Sequence, residues 1–403
     1  MLRSFKTALA VTTIAVMSQQ ALAQDFAESM QQMGADAVKG YMAPFATGVG
    51  SGMNSQWSYT SKAQSFKGLP VGFNIYFGVP IKIISKSEKT FDFTGSLPTG
   101  ALLDQIGLPA GLTLDSLQKV VPGGQTLDLK TLHVVAKDVP TFYGSSKAKK
   151  AAIDSVLPNS DFLTLVRDYN KMIDSTNALA SPSAQQKKIA IPDSIELPFV
   201  GVDFPIGFTL PNIGASICLS KIPVLDNITL GGRFIPTTSL YGIKAGLFGF
   251  TVQHEITPHI PVLSSLPFIH LGTYYGYNSF TIEGTRKDTT VTPNTKTKIA
   301  SLNSINQIGM LTFSLDPSIP VLSAGIYGGI GFEKSSLTVD VSKQELANNL
   351  ELPAFKVTID GKNFLRTQIG ARVSLGAVDI FADANFGSAT IYNAGIAIGL
   401  NGL

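Results

Sequence analysis

The sequence predicts an all-β fold: a transmembrane antiparallel β-barrel of about 14 strands, with an N-terminal helical segment and a large mixed insertion. Three observations carry that expectation. Charged residues are 15% of the 403, while hydrophobic residues are 44% and the mean hydropathy is +0.22. Average chains carry ~25% charged residues. After residue 23 no stretch is long and apolar enough to be a spanning helix, and the best run, 242–252, carries Lys244. Finally, several segments of ~10 residues alternate strictly between apolar and small or polar residues, the period of a strand with two different faces.

The chain opens with a positive Arg3 and Lys6, an apolar run from Thr7 to Met17, and Ala21-Leu22-Ala23. This is the pattern of an export signal cleaved after Ala23. Loss of those two cations takes the net charge from +3 to +1. Such a balance excludes a strongly basic nucleic-acid binder, and the single Cys218 excludes a disulfide scaffold.

Residues 24–46 form the N-terminal helical segment, with Phe26, Met30, Met33, Ala37 and Tyr41 at helical spacing. It reads as a plug or a periplasmic helix. The barrel then spans 47–403. Strands are expected near 54–62, 69–80 and 89–94. Val71, Phe73, Ile75, Phe77 and Val79 share one face of the second.

Residues 96–195 break the rhythm with prolines, among them Pro98, Pro109, Pro122, Pro140, Pro158 and Pro182, and two helical windows, near 146–157 and 160–178. They read as a loop or plug insertion. Strands resume at 197–209 and continue through twelve segments to 389–401.

The last three strands are the most informative. Leu365, Thr367, Ile369, Ala371, Val373 and Leu375 oppose Arg366, Gln368, Gly370, Arg372 and Ser374. A two-residue turn at Gly376-Ala377 pairs Leu375 with Val378, Val373 with Ile380 and Ala371 with Ala382. A three-residue loop at 387–389 pairs Ala384 with Tyr392 and Ala382 with Ala394. Each apolar residue then meets another across the ladder. The opposite face carries Arg366, Arg372, Asp379, Asp383 and Asn385, expected to line a crowded lumen and to form ion pairs within it.

Catalytic patterns are missing from the sequence: no G-x-S-x-G and no phosphate-binding loop occurs. His254-Glu-Ile-Thr-Pro-His259 lacks the four-residue helical spacing of a zinc protease, and it reads as a polar loop beside prolines. No enzyme activity, metal or cofactor is expected. Trp57, Phe268, Tyr274, Tyr275, Tyr277 and Phe280 are candidates for an interfacial aromatic girdle or for the lining of an apolar-ligand pocket.

Several stretches resemble an uncharacterised bacterial family, of unknown function, of predicted outer-membrane β-barrel proteins. They are Tyr41-Met-Ala-Pro-Phe-Ala-Thr-Gly-Val-Gly-Ser-Gly-Met-Asn54 with Trp57, the strand from Phe73 to Val79, and Pro140-Thr-Phe-Tyr-Gly144. Further on come Leu230-Gly-Gly-Arg-Phe-Ile-Pro236 and residues 248–261. The resemblance implies a Gram-negative outer-membrane location, with outer-membrane lipid and the barrel-assembly machinery as partners. It supplies no activity. In architecture alone, the chain is similar to long-chain fatty-acid transporters of the outer membrane, although it ends Asn401-Gly402-Leu403 where such barrels usually end in an aromatic residue.

The function expected from these readings is passive transport or binding of a small apolar molecule by an outer-membrane barrel. The alternatives are a soluble exported β-rich lipid- or ligand-binding protein, and a structural or adhesive surface protein.

Overall fold

Ten strands close into one antiparallel barrel. The computed structural model describes residues 20–399 except 64–70, 99–104, 107–108, 110–130, 159, 204–205, 208–209, 221–225, 241–242, 288–295, 318–321, 346–350, 353 and 362–364. The expected signal segment up to residue 19, and the last four residues, lie outside it.

The barrel strands are β1 (Val71–Ile83), β2 (Asn212–Leu219), β3 (Ile228–Leu240), β4 (Ile243–Glu255), β5 (Ile269–Lys287), β6 (Lys296–Leu315), β7 (Leu322–Val341), β8 (Leu365–Leu375), β9 (Val378–Phe386) and β10 (Ile391–Gly399). Each pairs with its neighbours in chain order, and β10 pairs with β1, so no edge is left open. Closure satisfies the backbone of every barrel strand without water, the condition for crossing hydrocarbon.

The alternation read from the sequence is the alternation of the wall. Odd positions of β1 and β8 face out, as do even positions of β9 and β10. Ile369 is 62% exposed, Ile398 59% and Phe234 67%. Apolar side chains bare to this degree on a closed ring describe a surface meant for lipid, not for water. A soluble sandwich would bury that face instead. Both C-terminal hairpins have the expected register: Leu375 pairs with Val378, Val373 with Ile380, Ala384 with Tyr392 and Ala382 with Ala394. Gly376 makes the tight turn possible by adopting φ +60°, a conformation that costs other residues about 1–2 kcal/mol.

The strand count is ten rather than fourteen, for identifiable reasons. Residues 54–62 run through the lumen and pair with no strand. The segment 89–94 belongs to a separate hairpin, Thr90–Pro98 with Thr131–Pro140. The segments expected at 319–333 and 336–342 share one strand, β7 (Leu322–Val341), twenty residues long. Residues 355–360 pair with the far half of β7, and among the described residues of 197–209 only Ile206–Gly207 is strand.

Inside the barrel lies helix α1 (Gln20–Met53), longer than the segment 24–46 expected. It is kinked at Gly34, whose φ of 73° lies outside the helical region. Met30, Met33, Ala37 and Tyr41 are buried, as their spacing implies; the side chain of Phe26 lies outside the described residues. From Met53 the chain continues through the lumen to Ala63.

One end of the barrel holds the start of β1, the end of β10 and the connection Gly376-Ala377. The other end holds the two longest connections, and the described residues of 84–203 build a cap there. Its hairpin lays Phe93, Leu97, Leu132 and Val134 against the first half of α1 in one apolar core. Helix α2 (Asp161–Asn177) is N-capped by Ser160 and turns Phe162, Leu165, Val166 and Ile173 inward. Its neighbour Met172, expected on the same face, is exposed. The window near 146–157 holds a three-residue strand and one helical turn instead of a helix.

Candidate functional site

The lumen has two zones, set by what its inward positions carry. Towards the cap they are apolar: Leu247, Phe280, Ile299, Leu337 and Val339 pack on α1. Towards the short-turn end they are polar, and there the plug is held by its backbone. A helix C-terminus leaves carbonyl oxygens unpaired and carries partial negative charge. Two buried arginines of the wall meet it. Arg233 donates to the carbonyls of Met53 (2.9 Å) and Ser55 (2.6 Å), and Asn278 donates to Met53 at 3.0 Å. Arg366 donates to the Ser51 carbonyl at 2.9 Å, to Ser55 Oγ at 2.8 Å and to Glu333 at 2.7 Å.

Arg233 also lies over the Trp57 ring, 3.6 Å from its centroid, a cation–π stack in a dry site. Its Nε donates to Tyr76 Oη at 2.9 Å. Lower down, Gln253 donates to the Thr60 carbonyl at 2.8 Å. Thr60 donates to Asp316 at 3.1 Å, and Asp316 accepts from Arg372 at 2.8 Å. At the lowest level Glu255 accepts from the Ala63 N–H (2.6 Å) and pairs with His270 (2.7 Å).

At the cap end Lys82 donates to the Pro44 carbonyl at 3.2 Å and to Glu88 at 2.5 Å. Burial raises the Glu88 carboxyl, but Lys82 and the Ser85 N–H outweigh it and hold it below the usual carboxylate range.

The interior space left beside Trp57, Tyr59 and Thr60 is about 40 Å³, room for a few water molecules. The lumen is shut.

Arg366, Arg372, Asp379, Asp383 and Asn385 all point into this lumen and are buried. Their partners differ from those expected. Arg372 lies opposite Phe381 on β9, yet its ion pair is with Asp316, across on the chain after β6, and that of Arg366 is with Glu333 on β7. Asp379 accepts from Ser374, and Asp383 from Tyr327 (2.9 Å), Asn393 and Asn385. The arginines of β8 thus turn to the acids on its β7 side, Glu333 on β7 and Asp316 after β6, and not to the carboxylates of β9.

The six aromatics do not form one group. Trp57 belongs to the plug. Tyr274 faces in and donates to the Met310 sulfur at 3.0 Å, and Phe280 sits in the apolar core under the cap. Tyr275, Tyr277 and Phe268 face out. They share no girdle, and only Tyr274 and Tyr275 reach a common concavity.

That concavity is a groove of about 730 Å³ in the outer wall, lined by Val252, His254, Tyr275, Gly309, Leu311, Ile330, Phe332 and Leu365. Its floor is Gly309. In the ladder Gly309 stands between Tyr275 on β5 and Phe332 on β7. A cross-strand aromatic often folds over such a glycine. Here a Cβ placed on Gly309 would meet no atom within 4 Å, so the slot is open.

Sequence reasoning passed over Arg233, Glu333, Lys82 and Gly309. Arg233 was visible as the one charge in its strand. Nothing local marks Gly309 among many glycines.

A family of unknown function (DUF6588) matches residues 2–400. The chain belongs to this family. No curated protein matches the chain. Among solved structures, the outer membrane protease OmpT from Escherichia coli is similar over 84% of this chain and 98% of its own, at 8% identity and a TM-score of 0.27. A mutant porin of Rh. blastica is similar over 52% of this chain and 93% of its own, at 9% identity and a TM-score of 0.11. Likenesses of this size say nothing about activity.

Proposed function

We propose that this family member is an outer-membrane barrel that binds a small apolar molecule at its wall, with its lumen closed by residues 35–63. The observation that carries the reading is the uncovered Gly309 slot. Its volume lies in the ~300–1,000 Å³ range of small-molecule sites, and its lining is almost wholly apolar. It opens towards lipid, the phase in which an apolar molecule concentrates. The filled, polar lumen is unsuited to carrying such a molecule. The two longest connections, 84–211 and 342–364, both lie at the cap end, as the long loops of outer-membrane barrels lie on one side, which supports a cap on the outside of the cell.

The test is photolabelling of the barrel, held in lipid nanodiscs, with a photoactivatable hydrocarbon. Labelling at Tyr275, Leu311 and Phe332 is expected to saturate and to be competed by unlabelled hydrocarbon. Gly309→Phe, which fills the slot, should reduce the saturable part at least tenfold. Non-saturable labelling equal to that of Ile75 on β1, five strands from β6 around the ring, would overturn the reading.

A further inference from the structure

The structure brings together two histidines that the spacing rule had set aside. His254 ends β4 on its outward side, and His259 closes the short 3₁₀ turn Thr257–His259. Their Nε2 atoms are 3.3 Å apart, with the rings inclined at 50°. The turn that presents His259 is fixed at several points. Ile256 N–H donates to the Leu271 carbonyl at 2.8 Å, Thr257 Oγ1 accepts from Leu271 N–H at 2.5 Å, and His259 N–H donates back to Ile256 at 3.0 Å. Pro258 restricts the remaining freedom. The adjacent carboxylate, Glu255, is turned into the lumen and occupied by His270 and Ala63.

We propose that His254 and His259 form a binding site for one borderline divalent cation, Zn²⁺ or Ni²⁺, at the short-turn rim of the barrel. Two imidazole nitrogens bound at 2.0–2.1 Å to a tetrahedral ion stand about 3.3–3.4 Å apart. The observed separation matches that figure and is long for a direct N–H···N bond, whose mode is ~2.9–3.0 Å. Both rings present Nε2, and His259 is exposed, so water can complete the coordination. Among the described residues no third His, Cys, Asp or Glu joins the pair. The site is therefore open and weaker than a four-ligand structural zinc site. The ion would tie the 256–268 connection to the end of β4. A helix-based motif demands four-residue spacing; a strand end followed by a tight turn brings a five-residue spacing to the same geometry.

The test is calorimetric titration of the full untagged chain, folded in detergent micelles, with Zn²⁺ and with Ni²⁺. One ion per chain is expected at pH 7.5, and a chelator should remove it. His259→Gln and His254→Gln should each weaken binding at least tenfold, while the heat-dependent gel mobility of the folded barrel is kept. Lack of saturable one-to-one binding by the wild type, or unchanged binding in the double variant, would overturn the proposal. His259 does not line the Gly309 groove, so its variant separates this site from the hydrocarbon site.

Discussion

Arg366→Met is the sharpest perturbation of the plug. It keeps the side-chain volume and removes the charge. In the folded protein the side chains of Arg366 and Glu333 are 2% and 1% exposed. Removing one partner of a buried pair costs about 3–5 kcal/mol, because the other charge stays buried without compensation. Glu333 keeps hydrogen bonds from Ser51 Oγ at 2.9 Å and Asn54 at 3.4 Å, so the lower end, about 3 kcal/mol, is expected. That is a factor of roughly 10² in the folding equilibrium. The Ser51 carbonyl also loses one of its donors and keeps Ser55 Oγ at 2.8 Å, which loosens the last turn of α1. The assay is urea unfolding of the barrel in lipid vesicles, followed by tryptophan emission. Trp57 is the single tryptophan in the chain and sits in the plug, so the signal reports the plug itself. Arg366→Met with Glu333→Gln should recover more than half the loss, since neither charge of the pair is then left buried without the other. A single variant within about 0.5 kcal/mol of wild type, or a double no better than the single, would refute a dry ion pair holding the plug.

Ile396 is 49% exposed on the outer wall; Ile396→Arg should cost about 2–4 kcal/mol in vesicles if it lies near the bilayer midplane. Equal tolerance of arginine there and at exposed Asp168 on the cap would contradict the lipid-facing assignment. Gly376→Ala should cost about 1 kcal/mol from φ alone, since nothing stands within 4 Å of the added methyl; a larger loss would mean a packing role. The lowered carboxyl of Glu88 gives stability that is present above its unfolded value of ~4.3 and lost as pH falls through its folded value. Hydrogen exchange at the Ser85 amide, bonded to Glu88 at 3.0 Å, should therefore quicken in acid, and Glu88→Gln should abolish that acid step. Deletion of residues 24–63 should turn a non-conducting barrel into an open pore in planar bilayers; a shut deletion variant would mean that the plug is not what closes the lumen.

Much of the wall was legible in the sequence because a membrane strand declares both of its faces. The outward row Leu365 to Leu375 and the turn at Gly376 fix register with only local information. The plug was less legible. Residues 54–62 carry polar and aromatic residues in the manner of a strand, and only closure of the barrel around them shows that they have no partner strand. Long-range pairing was not legible either. Arg372 is nearest in sequence to Asp379 and Asp383, but Asp316 reaches it over Gly325 of the intervening strand. The slot at Gly309 depends on an absent side chain meeting two present ones on separate strands, information that exists only after the strands are aligned.

The account rests on a closed barrel in a membrane, and one measurement bears on that most directly: the gel mobility of the protein from the outer-membrane fraction, with and without boiling. A closed barrel resists detergent, so the unheated protein should migrate differently from the boiled one, and Gly309→Phe should leave that shift intact. Identical mobility before and after boiling, with the protein recovered in the soluble periplasmic fraction, would contradict it.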